Sequence, residues 1–361
     1  MEVIKKVLVI STVGLIYDGI TSVIISYLKA MDFSGLDIYV AGTMKVEPSI
    51  RRQLEDIGCR IVEFPNRQTE TITYIRKLVK FIRKNNIEVV HAHGNSGTLV
   101  VEMLAAWLGG CKKRIAHSHN TRCNQVRTDK LLRPFFNIFY TDALACGNDA
   151  GKWLFGDKTF KVLKNGRDIK MYYFNQEMRN RIRKEYNLGS SLTIGHVGGF
   201  FEQKNHRFLS EIYHEIVRLQ SDVKLFMIGD GPLKAEIEHL CKDIHDNVIF
   251  TGSTDRVPDL LQAMDGMILP SLFEGLPLVA IEWQINGLPC IVSTNITREC
   301  AVTNQIHFLP LEISAEEWAY QIVTFAKQNN RLQSAEVAAV KVSLNGFDIH
   351  DAAEKLKEIY M

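Results

Sequence analysis

Apolar runs of strand length alternate with helix-period segments along the chain, and this alternation restricts the fold more than any other feature. A strand followed by a helix and then by a second strand returns in the same direction. Repeated βα units therefore build a parallel sheet covered by helices on both faces. The first series has strand-like stretches at 7–11, 36–41, 59–64, 88–91 and 114–117. Helices fit 19–31 and 71–85, the second with Ile72, Ile75, Val79 and Ile82 on one face. The series restarts with strands at 192–197, 224–228, 248–251, 266–270 and 289–293 and a helix at 279–285. The expected fold class is α/β, with two doubly wound domains. No internal repeat or low-complexity tract interrupts the pattern.

The Asn-Gly turn in Lys164-Asn-Gly-Arg167 is the expected link between the halves. It gives an N-terminal domain over 1–165 and a C-terminal domain over 166–345. A last helix, with Ala352, Ala353, Leu356 and Ile359 on one face, is expected to pack residues 346–361 back on the first domain. A length of 361 residues holds two domains, each with its own core. With 46% hydrophobic and 23% charged residues, disordered, collagenous and disulfide-scaffold classes are excluded. The seven cysteines are scattered without a C-x-x-C, which reads as reduced thiols in a cytoplasmic protein. The first ten residues read as a buried strand rather than a signal peptide, and no apolar stretch reaches membrane-spanning length.

Open parallel sheets bind ligands beyond the carboxyl ends of their strands, so the loops after strands carry the chemistry. Glu274 and Glu282 are separated by seven residues across a loop and the start of a helix. The amides of Leu278 and Val279 fall at that helix start, where unpaired N–H groups and the dipole attract phosphate. A carboxylate ahead of such an anion site can bond sugar hydroxyls, and one inside the helix can bond a ribose diol. Taken alone, the pair also fits a helix-start charge and a solvated face. Gly198 and Gly199 end a strand, with Lys204 following as a point charge for phosphate. Gly229-Asp-Gly-Pro232 is a tight turn after the next strand. Neither G-x-G-x-x-G nor G-x-x-x-x-G-K-[ST] occurs.

In order, the chain carries G-x-V-G-x-F-x-x-Q-K-N-H, G-D-G-P-L, V-x-F-T-G, A-M-D-x-x-x-L-P-S-x-x-E-G-L-P-L-V-x-I-E and G-L-P-C-I-V-S. This series resembles family 4 glycosyltransferases of the GT-B fold, in which two Rossmann-like domains face across a cleft. The bacterial exopolysaccharide and capsule branch is the nearest likeness. In the first half the likeness rests on Val90-His-Ala-His93, Ile115-Ala-His-Ser-His119, Gly151-Lys-Trp-Leu-Phe-Gly156 and Asn165-Gly-Arg-Asp168.

The resemblance implies roles position by position. Lys204 matches the lysine on the donor diphosphate, Glu274 the contact to donor-sugar hydroxyls, and Glu282 the ribose contact. Leu278 and Val279 supply amides to phosphate, and His119 is the active-site histidine near the sugar C6 hydroxyl. Gly19 matches the glycine of the first loop. Gly198, Gly199, Gly229, Thr254 and Val257 complete the nucleotide-sugar set. The implied activity is retaining, metal-independent transfer of a hexose from a nucleotide diphosphate sugar, a UDP-sugar by expectation. The implied acceptor is lipid-linked or an oligosaccharide in surface polysaccharide synthesis. No cofactor and no nucleic-acid partner are implied, and no D-x-D is present to hold a divalent ion.

Two positions depart from the family pattern. Gly199 stands where the family carries arginine, which removes one cation from the leaving diphosphate. Asp18-Gly19-Ile20-Thr21 lacks the usual glycine doublet and acidic residue. Arg167, where the family has an aliphatic residue, is a candidate replacement cation for the diphosphate. His91, His93, His117 and His119 sit at two strand ends with i, i+2 spacing that also suits a metal. Without accompanying cysteines or carboxylates they read as structural or sugar-contacting residues. Two other functions stay open on the sequence: a sugar-nucleotide 2-epimerase on the same fold, and a non-catalytic sugar-nucleotide-binding subunit.

The net charge of +2 conceals an asymmetry. Residues 1–165 hold 24 Lys and Arg against 15 Asp and Glu, and the remainder hold 19 against 26. The basic half carries Arg76, Lys77, Lys80, Arg83 and Lys84 on the helix at 71–85. Segment 121–141 carries Arg122, Arg127, Lys130 and Arg133 beside Phe135, Phe136, Ile138, Phe139 and Tyr140. Basic residues beside apolar ones suit an anionic membrane surface, so peripheral contact with the inner face of the cell membrane is expected through this half.

Overall fold

A computed structural model of the chain describes residues 4–123 and 126–361. Positions 124 and 125 of the segment 121–141 lie outside the described residues. Contacts divide the chain into two units, Met1–Gly166 with Gly346–Met361, and Arg167–Asn345.

The first unit contains β1 (Lys5–Ser11), β2 (Leu36–Gly42), β3 (Arg60–Glu63), β4 (Val89–His93), β5 (Lys113–Ser118), β6 (Asp142–Ala145) and β7 (Lys161–Val162). They pair in the order β3-β2-β1-β4-β5-β6-β7, every pair parallel. The second unit contains β8 (Leu192–Val197), β9 (Val223–Ile228), β10 (Val248–Gly252), β11 (Gly266–Leu269), β12 (Cys290–Ser293) and β13 (Ile306–Leu309). Their order is β10-β9-β8-β11-β12-β13, again all parallel. Each sheet starts inside, winds to one edge and restarts on the other side of its first strand. The direction of winding reverses between β1 and β4 and between β8 and β11, the places where such sheets open for ligands. Central strands are apolar on both faces: Val7, Leu8, Val9 and Ile10 are all buried, because helices cover both sides.

The final helix, Ile349–Tyr360, buries Ile349, Ala352, Ala353, Leu356 and Tyr360 within the first unit, alongside the helix Gly19–Ala30. Asp348 caps it by accepting from the His350 amide at 2.9 Å. Ile359 is half-buried, and Tyr360 takes the inward position expected of Ile359.

The helix Thr71–Asn85 buries a different stripe from the one expected. Tyr74, Leu78 and Ile82 face the core, Ile75 and Val79 flank it, and Ile72 is 67% exposed. Tyr74 wins because its ring packs edge-on against Phe64 at 5.9 Å, filling a space that a first-turn isoleucine cannot reach. The helix Val126–Phe139 also splits its aromatics. Phe136 is fully buried, whereas Leu131, Phe135 and Ile138 are exposed. Arg133 is not a free surface cation: it bonds Asp129 at 2.8 Å and lies over the Trp153 ring.

None of the seven cysteines is in a disulfide. Six are buried, and burial pushes the Cys59, Cys241 and Cys300 thiols up to about 12 and Cys111 up to about 11. Cys123 is half-buried. Among the described residues, no helix is long and apolar enough to cross a membrane.

At the end of β9 the chain approaches the end of β8 too closely for a side chain. Gly229 has φ +144°, and a Cβ there would sit 2.1 Å from the Gly198 carbonyl oxygen. Gly189 also has positive φ (+50°) but faces open space. Gly229→Ala should therefore cost at least about 2 kcal/mol of stability, and Gly189→Ala about 1 kcal/mol or less. Denaturant melts of the two variants check this ordering, and equal losses would contradict it.

Candidate active site

The second unit gathers its polar residues beyond the ends of β8, β9 and β11. Gly198 and Gly199 leave β8, and Lys204 ends a short 3-10 turn, Glu202–Lys204, six residues on from Gly198. Glu274 lies in the loop after β11. Lys204 Nζ donates to Glu274 Oε1 at 2.6 Å, and both side chains are largely buried. Ser271 Oγ donates to the same oxygen at 2.9 Å, and Gln203 Nε2 donates to Oε2 at 3.0 Å. Three donors thus fix one carboxylate. Sequence reasoning missed Ser271 and Gln203, although both sit inside the motifs that carried the resemblance.

The lysine keeps hydrophobic and neutral company. The Lys204 stem would be 3.3 Å from a Cβ at Gly198, so glycine there is what leaves room for it. His206 stacks on Phe200 at 4.2 Å and meets His196 edge-on at 4.8 Å. Burial, then the nearby Lys204 charge, pushes His206 down to about 4. His196 is held well below its ordinary value by burial and by the charge that His206 would carry. A Cβ at Gly199 would meet only the Phe201 ring within 3 Å, and Phe201 is exposed.

Leu278 opens the helix Leu278–Ile285 with Val279 in its first turn, and no side chain caps that end. Glu282 lies one turn further and is buried, so it is not on a solvated face. Arg167 Nε donates to Glu282 Oε1 at 2.7 Å, and Tyr172 adds a side-chain hydrogen bond. Burial raises the Glu282 carboxyl, and these two partners oppose that rise. Arg167 was a candidate cation for the diphosphate. Its guanidinium is instead buried against Glu282, because a carboxylate this far from water requires a charged partner.

Thr254 and Val257 follow β10. Thr254 Oγ1 accepts from the Arg256 amide at 3.1 Å, and Val257 opens the helix Val257–Ala263. Neither is drawn into the Lys204–Glu274 network.

In the first unit, Gly19 is the first residue of its helix, capped by Asp18, which accepts from the Thr21 amide at 2.8 Å. His119 follows β5. Its Nε2 meets His93 Nδ1 at 2.8 Å, and Asn95 Oδ1 accepts from its amide at 2.9 Å. His91 Nε2 meets His117 Nδ1 at 3.1 Å, and His91 Nδ1 meets the Tyr360 hydroxyl at 2.7 Å. Parallel pairing sets His93 opposite His117, and i, i+2 spacing turns the rings to one face.

Ring nitrogens of His91, His93 and His117 come within 4.8 Å of one another. Within each bonded pair the ring centroids are 5.2 and 5.0 Å apart and the planes are within 16° of parallel. Those centroid separations are close to the largest that such short N···N contacts permit. The nitrogens therefore meet head-on in the ring plane, each contact a hydrogen bond between two ring nitrogens. The two pairs lie against each other with rings tilted by about 35°, His91 on His93 at 4.1 Å and His117 on His119 at 4.2 Å. Burial and the neighbouring rings hold His91, His93 and His117 well below their ordinary value, and burial takes His119 to about 3.

Six histidines, these four with His196 and His206, are therefore neutral in the fold, while the unfolded chain protonates them near pH 6.5. Because their folded values are depressed, the unfolded state binds more protons below that pH. Their contribution is complete above about pH 6.5 and is lost as pH falls toward about 4 and 3. Each histidine removes about 1.4 kcal/mol per pH unit in that window. Thermal melts from pH 8 to pH 5 should show Tm falling steeply below pH 6.5; a flat Tm would contradict this.

Comparison with known proteins adds the family context. The family described as Glycosyl transferases group 1 matches residues 191–328. The putative glycosyltransferase EpsF of Bacillus subtilis (strain 168) is 31% identical over 303 residues, covering 79% of this chain and 78% of its own. The Escherichia coli UDP-Gal:alpha-D-GlcNAc-diphosphoundecaprenol alpha-1,3-galactosyltransferase is 26% identical over 303 residues, covering 79% of this chain and 78% of its own. The crystal structure of Anabaena HepE in complex with UDP superposes with a TM-score of 0.82 at 17% identity, covering 98% of each chain.

Proposed function

The chain belongs to the group 1 glycosyl transferases, with the GT-B architecture of two Rossmann-like domains. From that premise we propose that it moves a hexose from a UDP-sugar, with retention, to a lipid-linked acceptor in surface polysaccharide synthesis. The observation that carries this reading is the Lys204–Glu274 pair at 2.6 Å, set just ahead of a helix start that no side chain caps. Lys204 and the amides of Leu278 and Val279 meet the departing diphosphate as its charge grows. Glu274, fixed by three donors, accepts from the sugar hydroxyls, and Glu282 accepts from the ribose. His119, neutral and oriented by His93, contacts the sugar C6 hydroxyl. The acceptor hydroxyl attacks on the leaving-group side and passes its proton to a phosphate oxygen. Cationic side chain and helix end do the work that a divalent ion does elsewhere, so the reaction is metal-independent. A complex with UDP in HepE and a UDP-galactose enzyme among the relatives support the choice of donor.

In a radiolabelled UDP-sugar screen with undecaprenyl-diphosphate acceptors, Lys204→Ala should lower kcat/KM by about 100-fold or more, beyond what its lowered Tm accounts for at the assay temperature. EDTA should leave the wild-type rate unchanged in the same assay. Binding of UDP without turnover on any acceptor would instead favour a binding subunit.

The acceptor reading also places the first unit against the membrane. Leu131, Phe135 and Ile138 recur at i, i+4 and i+7 and are 70%, 53% and 68% exposed. Exposed Arg127 and Lys130 lie on the same helix, and Arg76, Lys77 and Lys80 on the helix Thr71–Asn85 are exposed as well. Such a face suits an anionic bilayer surface. The protein should float with anionic vesicles at low salt and not at high salt, and Phe135→Asp should abolish flotation at unchanged Tm. Equal flotation of the variant would refute this face.

A further inference from the structure

We infer that Arg167 is a positioning residue for the donor ribose, acting through the Glu282 carboxylate that it holds. This rests on the reading of Glu282 as the ribose contact given above.

Three observations support it. Arg167 is the first residue of the second unit and directly follows the Asn165-Gly166 turn, so the chain entering that unit delivers the guanidinium. Its Nε lies 2.7 Å from Glu282 Oε1, and both side chains are more than nine-tenths buried. The neighbouring segment is also fixed onto the helix that carries Glu282. Asp168 caps the turn Ile169–Tyr172 by accepting from the Lys170 and Met171 amides at 2.9 and 3.2 Å. Asn286 Nδ2 donates to the Tyr172 carbonyl oxygen at 2.6 Å, and the Tyr172 side chain hydrogen-bonds Glu282. One carboxylate therefore has two fixed partners on one rigid segment.

The physical consequence is orientation and charge together. A buried carboxylate with no cation drifts toward its neutral form or rotates toward water. Either change removes a strong, aimed acceptor for a ribose diol, since hydrogen bonds to charged groups are the stronger kind. An aliphatic side chain at position 167 supplies neither effect. The role differs from that of Lys204: the Arg167 guanidinium is bound to the Glu282 carboxylate, so its effect belongs to donor binding at the ribose.

The test measures binding of UDP and of 2′,3′-dideoxy-UDP to the full chain by calorimetry, with wild type, Glu282→Gln, Arg167→Met, Arg167→Lys and Tyr172→Phe. Wild type should prefer UDP by about tenfold or more, and Glu282→Gln should erase that preference. Arg167→Met should weaken UDP by about tenfold while changing dideoxy-UDP by less than about twofold. Arg167→Lys should recover part of the loss, and the donor KM of Arg167→Met should rise with kcat nearly kept. If Glu282→Gln removes the preference but Arg167→Met leaves it intact, or weakens both ligands equally, the positioning role is wrong and the ribose reading stands. If Glu282→Gln keeps the full preference, the ribose reading itself fails and the inference falls with it. Should Arg167→Met not fold, Tyr172→Phe decides: a loss of about two- to threefold confined to UDP supports the role, and an equal loss on both ligands overturns it.

Discussion

Parallel pairing forces every strand of a sheet to deliver its following loop to the same edge, and the rest of this structure hangs on that constraint. In the second unit it brings the loops after β8, β9 and β11 to one place, so residues as far apart as Lys204 and Glu274 come to 2.6 Å. In the first unit it sets β4 beside β5 in register and puts two H-x-H segments face to face. No long-range design beyond strand order is needed to collect either group. The close backbone passage at Gly198 and Gly229 shows how tightly that edge is built.

Both units bury paired charges, the first with Arg67 on Glu102 at 2.7 Å, and they differ in what accompanies those pairs. The second keeps its charges and pairs them, Lys204 with Glu274 and Arg167 with Glu282. Histidines beside those charges give up their protons instead. The first unit assembles four neutral imidazoles into two bonded pairs, with the Tyr360 hydroxyl closing one end. A paired charge is expensive to disturb once buried, whereas a neutral imidazole pair is sensitive to an added proton. Four of the six depressed histidines lie in the first unit, which therefore carries more of the acid sensitivity.

Much of this was legible in the residues. The strand at Leu192–Val197 and the helix at Ile349–Tyr360 match their expected bounds, because apolar periodicity and clear caps define them. β6, β7 and β13 were not anticipated, although β3, β11 and β12 are as short as β6 and β13 and were. Ile72 misled because periodicity ranks isoleucines without knowing that Tyr74 has the better-fitting cavity. Glu274, Glu282 and Lys204 were found through motif order, not through spacing. Arg167 was singled out, yet its partner was not, because nothing local links position 167 to position 282. Ser271, Gln203 and Tyr172 act through tertiary contacts alone, and His93 was noticed without its bond to His119.

The distribution of thiols has a practical consequence. Six of the seven cysteines are shut inside the two cores, with five of their protons held well past neutrality by burial. Cys123 alone reaches solvent in part, shortly before the helix that displays Leu131, Phe135 and Ile138. The native chain thus comes with a single addressable handle for a fluorophore or spin label. In the sequence it precedes by a few residues the helix that carries the proposed membrane-facing side chains.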